Sequence, residues 1–99
     1  MAMHIESDAN RIIIKIDGAF TINEVAEIKN RFGEVFEKKK DVVLDLSEVN
    51  DCDTAGIQLI VSAKKKAVEM KTRFFIESVS ERVQDAFRRI GMALEKTDH

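Results

Sequence analysis

The chain has no proline, no tryptophan, no tyrosine and a single cysteine among its 99 residues. Cys52 has no partner within the chain, which excludes a disulfide-stapled scaffold and fits a reducing compartment. No apolar run approaches the length of a bilayer span; Ile12-Ile13-Ile14 typifies the longest. The opening residues, Met1-Ala2-Met3-His4-Ile5-Glu6, lack the basic start and apolar stretch of a secretory signal. A cytoplasmic chain without direct membrane insertion is therefore expected. Neither sign of charge dominates: 16 Lys+Arg face 18 Asp+Glu, for a formal net charge of −2. That balance gives no electrostatic reason to expect nucleic acid. The six Phe are not interleaved with basic residues in the manner of a base-stacking surface. His4 and His99 lie near opposite ends with no ligand spacing around them, so no metal site is expected.

What is present is enough for one modest core. The apolar share is 44%, and a folded chain of this size buries roughly 60–65% of its unfolded surface. No repeat, linker or low-complexity segment interrupts the chain, so residues 1–99 are read as a single domain. Residues 3–7 are a candidate edge strand, and Asp8-Ala9-Asn10 is turn chemistry. In Arg11–Asp17, Ile12, Ile14 and Ile16 share one face while Ile13 and Lys15 share the other, which predicts a strand that Gly18 ends. Thr21-Ile22-Asn23-Glu24 has capping-box spacing before a helix expected from about residue 22 to 38. Asp41–Leu46 is a second strand, Ser47–Asp53 a polar loop, and a second helix is expected from about residue 55 to 70. Arg73–Glu77 is a third confident strand. Ser78-Val79-Ser80-Glu81 repeats the capping-box spacing before a last helix stopped by Gly91.

The order is thus (β)βαβαβα, an α/β fold with a mixed sheet of about four strands. Strands separated by helices run parallel. Each strand has one fully apolar face and one mixed face, so three helices are expected mainly on one side of the sheet. Lys15, Asp45 and Arg73 are expected on the more open side as candidates for pairing.

The segment Asp41 to Ile60 resembles the STAS family, named for sulfate transporters and anti-sigma factor antagonists. The carriers are Asp45-Leu46-Ser47 at the end of an apolar strand and Asp53-Thr54-Ala55-Gly56 opening a helix. The element order and length extend the likeness over nearly the whole chain. The resemblance implies a non-enzymatic regulatory module without a cofactor. It implies that Thr54, directly after the loop Asp, is a phosphoacceptor for an anti-sigma factor with serine kinase activity, the kinase supplying ATP and Mg²⁺. The Asp-Thr-Ala-Gly form also resembles STAS proteins of chemosensory systems and the STAS subunits of lipid-asymmetry ABC transporters, which bind a transporter ATPase. The resemblance further suggests that the final helix of the family is absent or reduced after Gly91. A hydroxyl at Thr54 would meet free amides and the positive end of the helix dipole, and a phosphate there would add about −1.5 to −2 charge.

Other readings of the same residues stand beside these. Asp, Thr and Gly before a helix are ordinary capping and turn residues. On the second helix, Ile57, Leu59, Ile60, Val61, Ala63, Ala67, Val68 and Met70 span a wide apolar arc that includes Lys64. Either Lys64 snorkels at the edge of a buried face, or that edge is exposed and Ile57, Val61 and Lys64 join Asp51, Asp53, Thr54, Ala55 and Gly56 in contacting a protein partner. Cys52, between Asp51 and Asp53, reads as an inert loop thiol rather than a redox sensor, because flanking carboxylates raise a thiol pKa. Lys64-Lys65-Lys66 reads as a solvated helix face before it reads as a phosphate site. Asp45, Asp51 and Asp53 could suggest a Mg²⁺ site or an acid/base pair, but no nucleophile or phosphate-binding glycine loop accompanies them, so a small enzyme is the weakest alternative.

Overall fold

Alternation of apolar side chains at period two, interrupted by helical spacing, builds seven elements among the described residues. The computed structural model describes residues 2–90. They form β1 (Ala2–Ser7), β2 (Arg11–Phe20), α1 (Val25–Phe36), β3 (Asp41–Cys52), α2 (Thr54–Glu69), β4 (Phe74–Val79) and α3 (Glu81–Arg89). The strands make one sheet in the order β1-β2-β3-β4. β1 and β2 are an antiparallel hairpin, and β2, β3 and β4 run parallel. In the hairpin turn, Asp8 Oδ1 accepts the N–H groups of Asn10 and Arg11 at 2.8 and 2.9 Å, the local bonding that makes Asp a turn residue.

One face of the sheet carries the core. Ile12, Ile14, Ile16, Val42, Leu44, Leu46 and Phe74 cluster with Ile28 and Phe32 of α1, Ile57 and Ile60 of α2, and Val83 and Phe87 of α3. Phe20, Phe74 and Leu44 are wholly buried, and burying each such side chain contributes about 1.5–3 kcal/mol. The opposite face is mixed, as expected. Ile13, Val43 and Phe75 are register neighbours there, with Val43 buried between two half-buried partners. The expected pairing of Lys15, Asp45 and Arg73 does not form. The ion pairs among the described residues are Asp8–Arg11 and Asp85–Arg88. Asp45 Oδ1 instead accepts the Ser47 N–H at 2.9 Å. Burial pulls the Asp45 pKa upward, but the bonds from Ser47 and the charge of Lys15 outweigh it and hold the carboxyl below its ordinary value.

Four boundaries differ from the sequence expectations, each for a local reason. β2 continues through Gly18, which sits at φ 99°, to Phe20. β3 continues to Cys52, through the segment expected to be a polar loop. The cause is a pair of register shifts against β2, between Lys15 and Asp17 and between Gly18 and Ala19. Each admits an extra residue in β3, so the buried positions fall at Leu46, Val49 and Cys52, a spacing of three that reads as loop. α1 starts at Val25 rather than near residue 22. Thr21 Oγ1 donates to Glu24 Oε1 at 2.6 Å and the Thr21 N–H reaches the same oxygen at 3.3 Å, so this pair closes a turn ahead of the helix. The cap of α3 is Ser80, whose Oγ accepts the Val83 N–H at 3.4 Å, and Ser78 remains in β4.

The exit from α2 is also specified locally. Lys71 adopts φ 58°, while the Lys71 and Thr72 N–H groups donate to the carbonyls of Val68 and Ala67 at 3.1 and 3.0 Å. This is a left-handed helix stop of the kind glycine usually serves. It turns the chain directly into β4. The expected stop at Gly91, the reduced final helix and His99 lie outside the described residues.

Candidate functional site

The end of β3 and the start of α2 form a tip on the molecule. Phe20 and Cys52 are the last register partners of β2 and β3, and both are buried. Asp53 follows in extended conformation, with φ −119° and ψ −176°, and α2 begins at Thr54. Asp53 Oδ1 accepts the Gly56 N–H at 3.2 Å and so caps the helix. Its other oxygen, Oδ2, accepts the Ile22 N–H at 3.0 Å. One carboxylate therefore ties the first turn of α2 to the turn between β2 and α1.

Gly56 explains its own place in the motif. A Cβ there would stand 2.4 Å from the Phe20 carbonyl oxygen and 3.3 Å from Cys52 Sγ. The missing side chain lets α2 lie directly on the end of β2, and this close approach turns Ile57 and Ile60 into the core.

The expected site residues separate accordingly. Thr54 and Asp51 are exposed, Asp53, Ala55, Val61 and Lys64 are half-buried, and Gly56 is buried. Ile57 is 0% exposed, which corrects its expected place in a partner-contacting edge. The apolar arc of α2 instead turns outward at Val68, which is 56% exposed. An apolar stripe at helical spacing does not reveal which of its edges meets the sheet.

Across the tip, α3 completes a cleft of about 300 Å³, lined by Asp51, Cys52, Asp53 and Thr54 on one side and Arg82, Ala86, Arg89 and Ile90 on the other. Burial pushes the Cys52 thiol up to about 11, the charges of Asp53 and Asp51 add to the rise, and Arg89 opposes it. Cys52 is thus a buried, protonated thiol at the end of a strand. Its hydrogen points to the Asp53 carbonyl, with an S···O distance of 3.7 Å. Asp45 lies away from this cleft wall, and among the described residues no three His, Cys, Asp or Glu side chains gather as metal ligands.

Three residues of the tip were missed from sequence. Ile22 is 64% exposed and sits beside Asp53 through its amide, although its place in the sequence reads as the first turn of a helix. Arg82 and Arg89 share a face of α3 at helical spacing. That periodicity is legible, but only the topology puts this face opposite Thr54.

The parallel β-α-β-α-β succession, the hairpin edge strand and the capped tip after β3 define an α/β module of the STAS type. The STAS domain family model matches residues 2–96, and the chain belongs to that family. No curated protein matches the sequence significantly. Among solved structures, the fold is similar to an anti-sigma factor antagonist from Mycobacterium paratuberculosis, with TM-score 0.79 and 14% identity over 91% of this chain and 77% of that one. It is similar to the anti-sigma factor antagonist SpoIIAA in its unphosphorylated form, with TM-score 0.77 and 15% identity over 92% of this chain and 82% of that one. The Bacillus SpoIIAA in its phosphorylated form matches with TM-score 0.73 and 14% identity, over 92% and 85% of the two chains. A sulfate transporter family protein from Wolinella succinogenes matches with TM-score 0.65 and 19% identity, over 85% and 69%. The chain also matches Mglu with TM-score 0.68 and 19% identity over 75% of its own length, but spans only 19% of that larger chain. No helix of the described residues is long and apolar enough to cross a membrane.

Proposed function

We propose that the chain is a non-enzymatic, cytoplasmic regulatory domain that binds a protein partner through the tip around Thr54, and that Thr54 is its phosphoacceptor. The observation that carries this reading is the exposed Thr54 side chain at the first position of α2. Asp53 holds its backbone in place from the preceding residue. The contact surface is Asp51, Asp53, Thr54, Ala55 and the flanking Val61 and Lys64, with Gly56 beneath. Ile22 supplies the exposed apolar contact. SpoIIAA, a protein of similar fold, exists in phosphorylated and unphosphorylated forms, which supports the same chemistry here. The partner is an anti-sigma factor with serine kinase activity. The Thr54 hydroxyl oxygen attacks the γ-phosphorus of the kinase's ATP, the bridging bond to the β-phosphate breaks, ADP leaves, and the hydroxyl proton passes to a base of the kinase. The new charge of about −1.5 to −2 then changes what can dock at the tip.

Intact-mass measurement after incubation with a cognate kinase and ATP tests the proposal. One added phosphate is expected on the unaltered chain and none on Thr54→Ala. The Asp53-Thr54-Ala55-Gly56 form of the loop supports a second reading, an accessory subunit that binds the ATPase of an ABC lipid transporter. Absence of any phosphate, together with tight binding to such an ATPase, would sink the first reading in favour of the second.

A further inference from the structure

Two arginines of the neighbouring helix line the same cleft as Thr54. Arg82, Ala86 and Arg89 are four and three residues apart and share one face of α3. That face is the far wall of the 300 Å³ cleft whose near wall holds Thr54. Arg82 and Arg89 also border a neighbouring surface hollow with Asp85 and Arg88, and those two are ion-paired with each other. Neither Arg82 nor Arg89 has an ion pair within 4.0 Å among the described residues. Asp53 does not answer them, since both its oxygens accept backbone N–H groups. Asp51 is the remaining carboxylate of the cleft wall. The field of Arg89 reaches the cleft floor, where it opposes the rise in the Cys52 thiol pKa. Two guanidinium groups thus border a cleft that holds an exposed hydroxyl. A phosphate offers three acceptor oxygens, and the planar fork of Arg matches them in pairs.

We propose that the Arg82–Arg89 face of α3 is an intramolecular receptor for a phosphate on Thr54, clamping the first turn of α2 to α3. The inference rests on the reading of Thr54 as a phosphoacceptor. It changes what that modification does. The phosphate adds negative charge to the tip and also withdraws two cations from the surface. A partner that docks an acidic group against Arg82 and Arg89 loses its counter-charge and meets a repelling one in the same event.

The test does not need a kinase. Phosphothreonine is installed at position 54 by genetic encoding, in the otherwise unaltered chain and in Arg82→Gln/Arg89→Gln. The ³¹P chemical shift is followed against pH to read the second ionisation of the phosphate, ordinarily near pH 6. Asp51 and Asp53 push that midpoint up, Arg82 and Arg89 pull it down, the Asp85–Arg88 pair beside them is neutral as a pair and unchanged in every variant, and the Cys52 thiol stays neutral throughout the range. The expected result is a midpoint lower by about half a unit or more when the arginines are present. Arg82→Lys/Arg89→Lys keeps the charge without the fork and should fall between. Phosphorylation should also raise the thermal midpoint of the unaltered chain and lower that of the Gln pair. Both arginines are exposed, so the variants should fold, and circular dichroism checks that they do. Equal ³¹P midpoints in the unaltered and Gln proteins would overturn the receptor while leaving Thr54 its role as acceptor. Failure of every kinase to modify Thr54 counts against the proposed function alone.

Discussion

Replacing Asp53 by alanine and by serine separates the two bonds made by its carboxylate. Alanine removes both. The lost helix cap at the Gly56 N–H costs about 1 kcal/mol. The lost bond to the Ile22 N–H costs less, because Ile22 is exposed and water takes over its amide; about 0.5 kcal/mol is the low end for a hydrogen bond. Alanine should therefore destabilise by about 1.5 kcal/mol, which for a domain of this size lowers the thermal midpoint by roughly 6–12 °C. Serine is as good a cap as aspartate but has one oxygen and a shorter reach. It should keep the Gly56 bond, lose the Ile22 bond, and lower the midpoint by only about 2–4 °C. Thermal unfolding followed by circular dichroism reads the stability. Amide hydrogen exchange reads the bonds: serine should speed exchange at Ile22 and leave Gly56 protected, while alanine should expose both. Equal losses of stability for the two variants would refute the division of labour. So would an Ile22 amide whose protection is unchanged by serine.

Gly56→Ala should destabilise the fold by about 1–3 kcal/mol through overpacking, because the contact at 2.4 Å is with the backbone oxygen of Phe20. The helix propensity that alanine gains, about 1 kcal/mol, only partly offsets this, and a raised melting temperature would contradict the close approach. Cys52 has its pKa raised from 9.0 to about 11, so the folded state holds its proton more tightly than the unfolded one. Its contribution to stability is fully present below pH 9.0 and is lost as pH rises through about 11. Cys52→Ala should flatten the fall in melting temperature across that window. At pH 8, native Cys52 should react with iodoacetamide at least about tenfold more slowly than in urea, its thiolate being scarce and covered.

The legible part of this fold is the part with a simple period. Ile12, Ile14 and Ile16, and then Val42, Leu44 and Leu46, announce strands because alternate residues face one core. The continuation of β3 was hidden because its two bulges change the spacing of buried residues, and Ser47, Glu48, Asn50 and Asp51 then look like a polar loop. The capping pattern at Asp53 located the tip correctly, since that chemistry is local. Asp53 nevertheless makes a bond 31 residues back in the chain, which no local pattern encodes. Ile57 was misjudged for the related reason that the close packing allowed by Gly56 fixes the rotation of α2, and that packing is tertiary. Arg82 and Arg89 were visible as a helix face and invisible as part of a site.

The bond from Asp53 to Ile22 has a consequence for any enzyme that acts on Thr54. The residue is held between a capped helix and a distant turn, so its backbone is not free to extend into a groove as a linear sequence does. Recognition must be of the assembled tip, with pieces of the chain from both sides of α1. A short peptide covering Thr54 alone would lack Ile22 and would not be a substrate. Modification would then be confined to copies that have already folded, and the mark would certify the state of the domain as well as carry a signal.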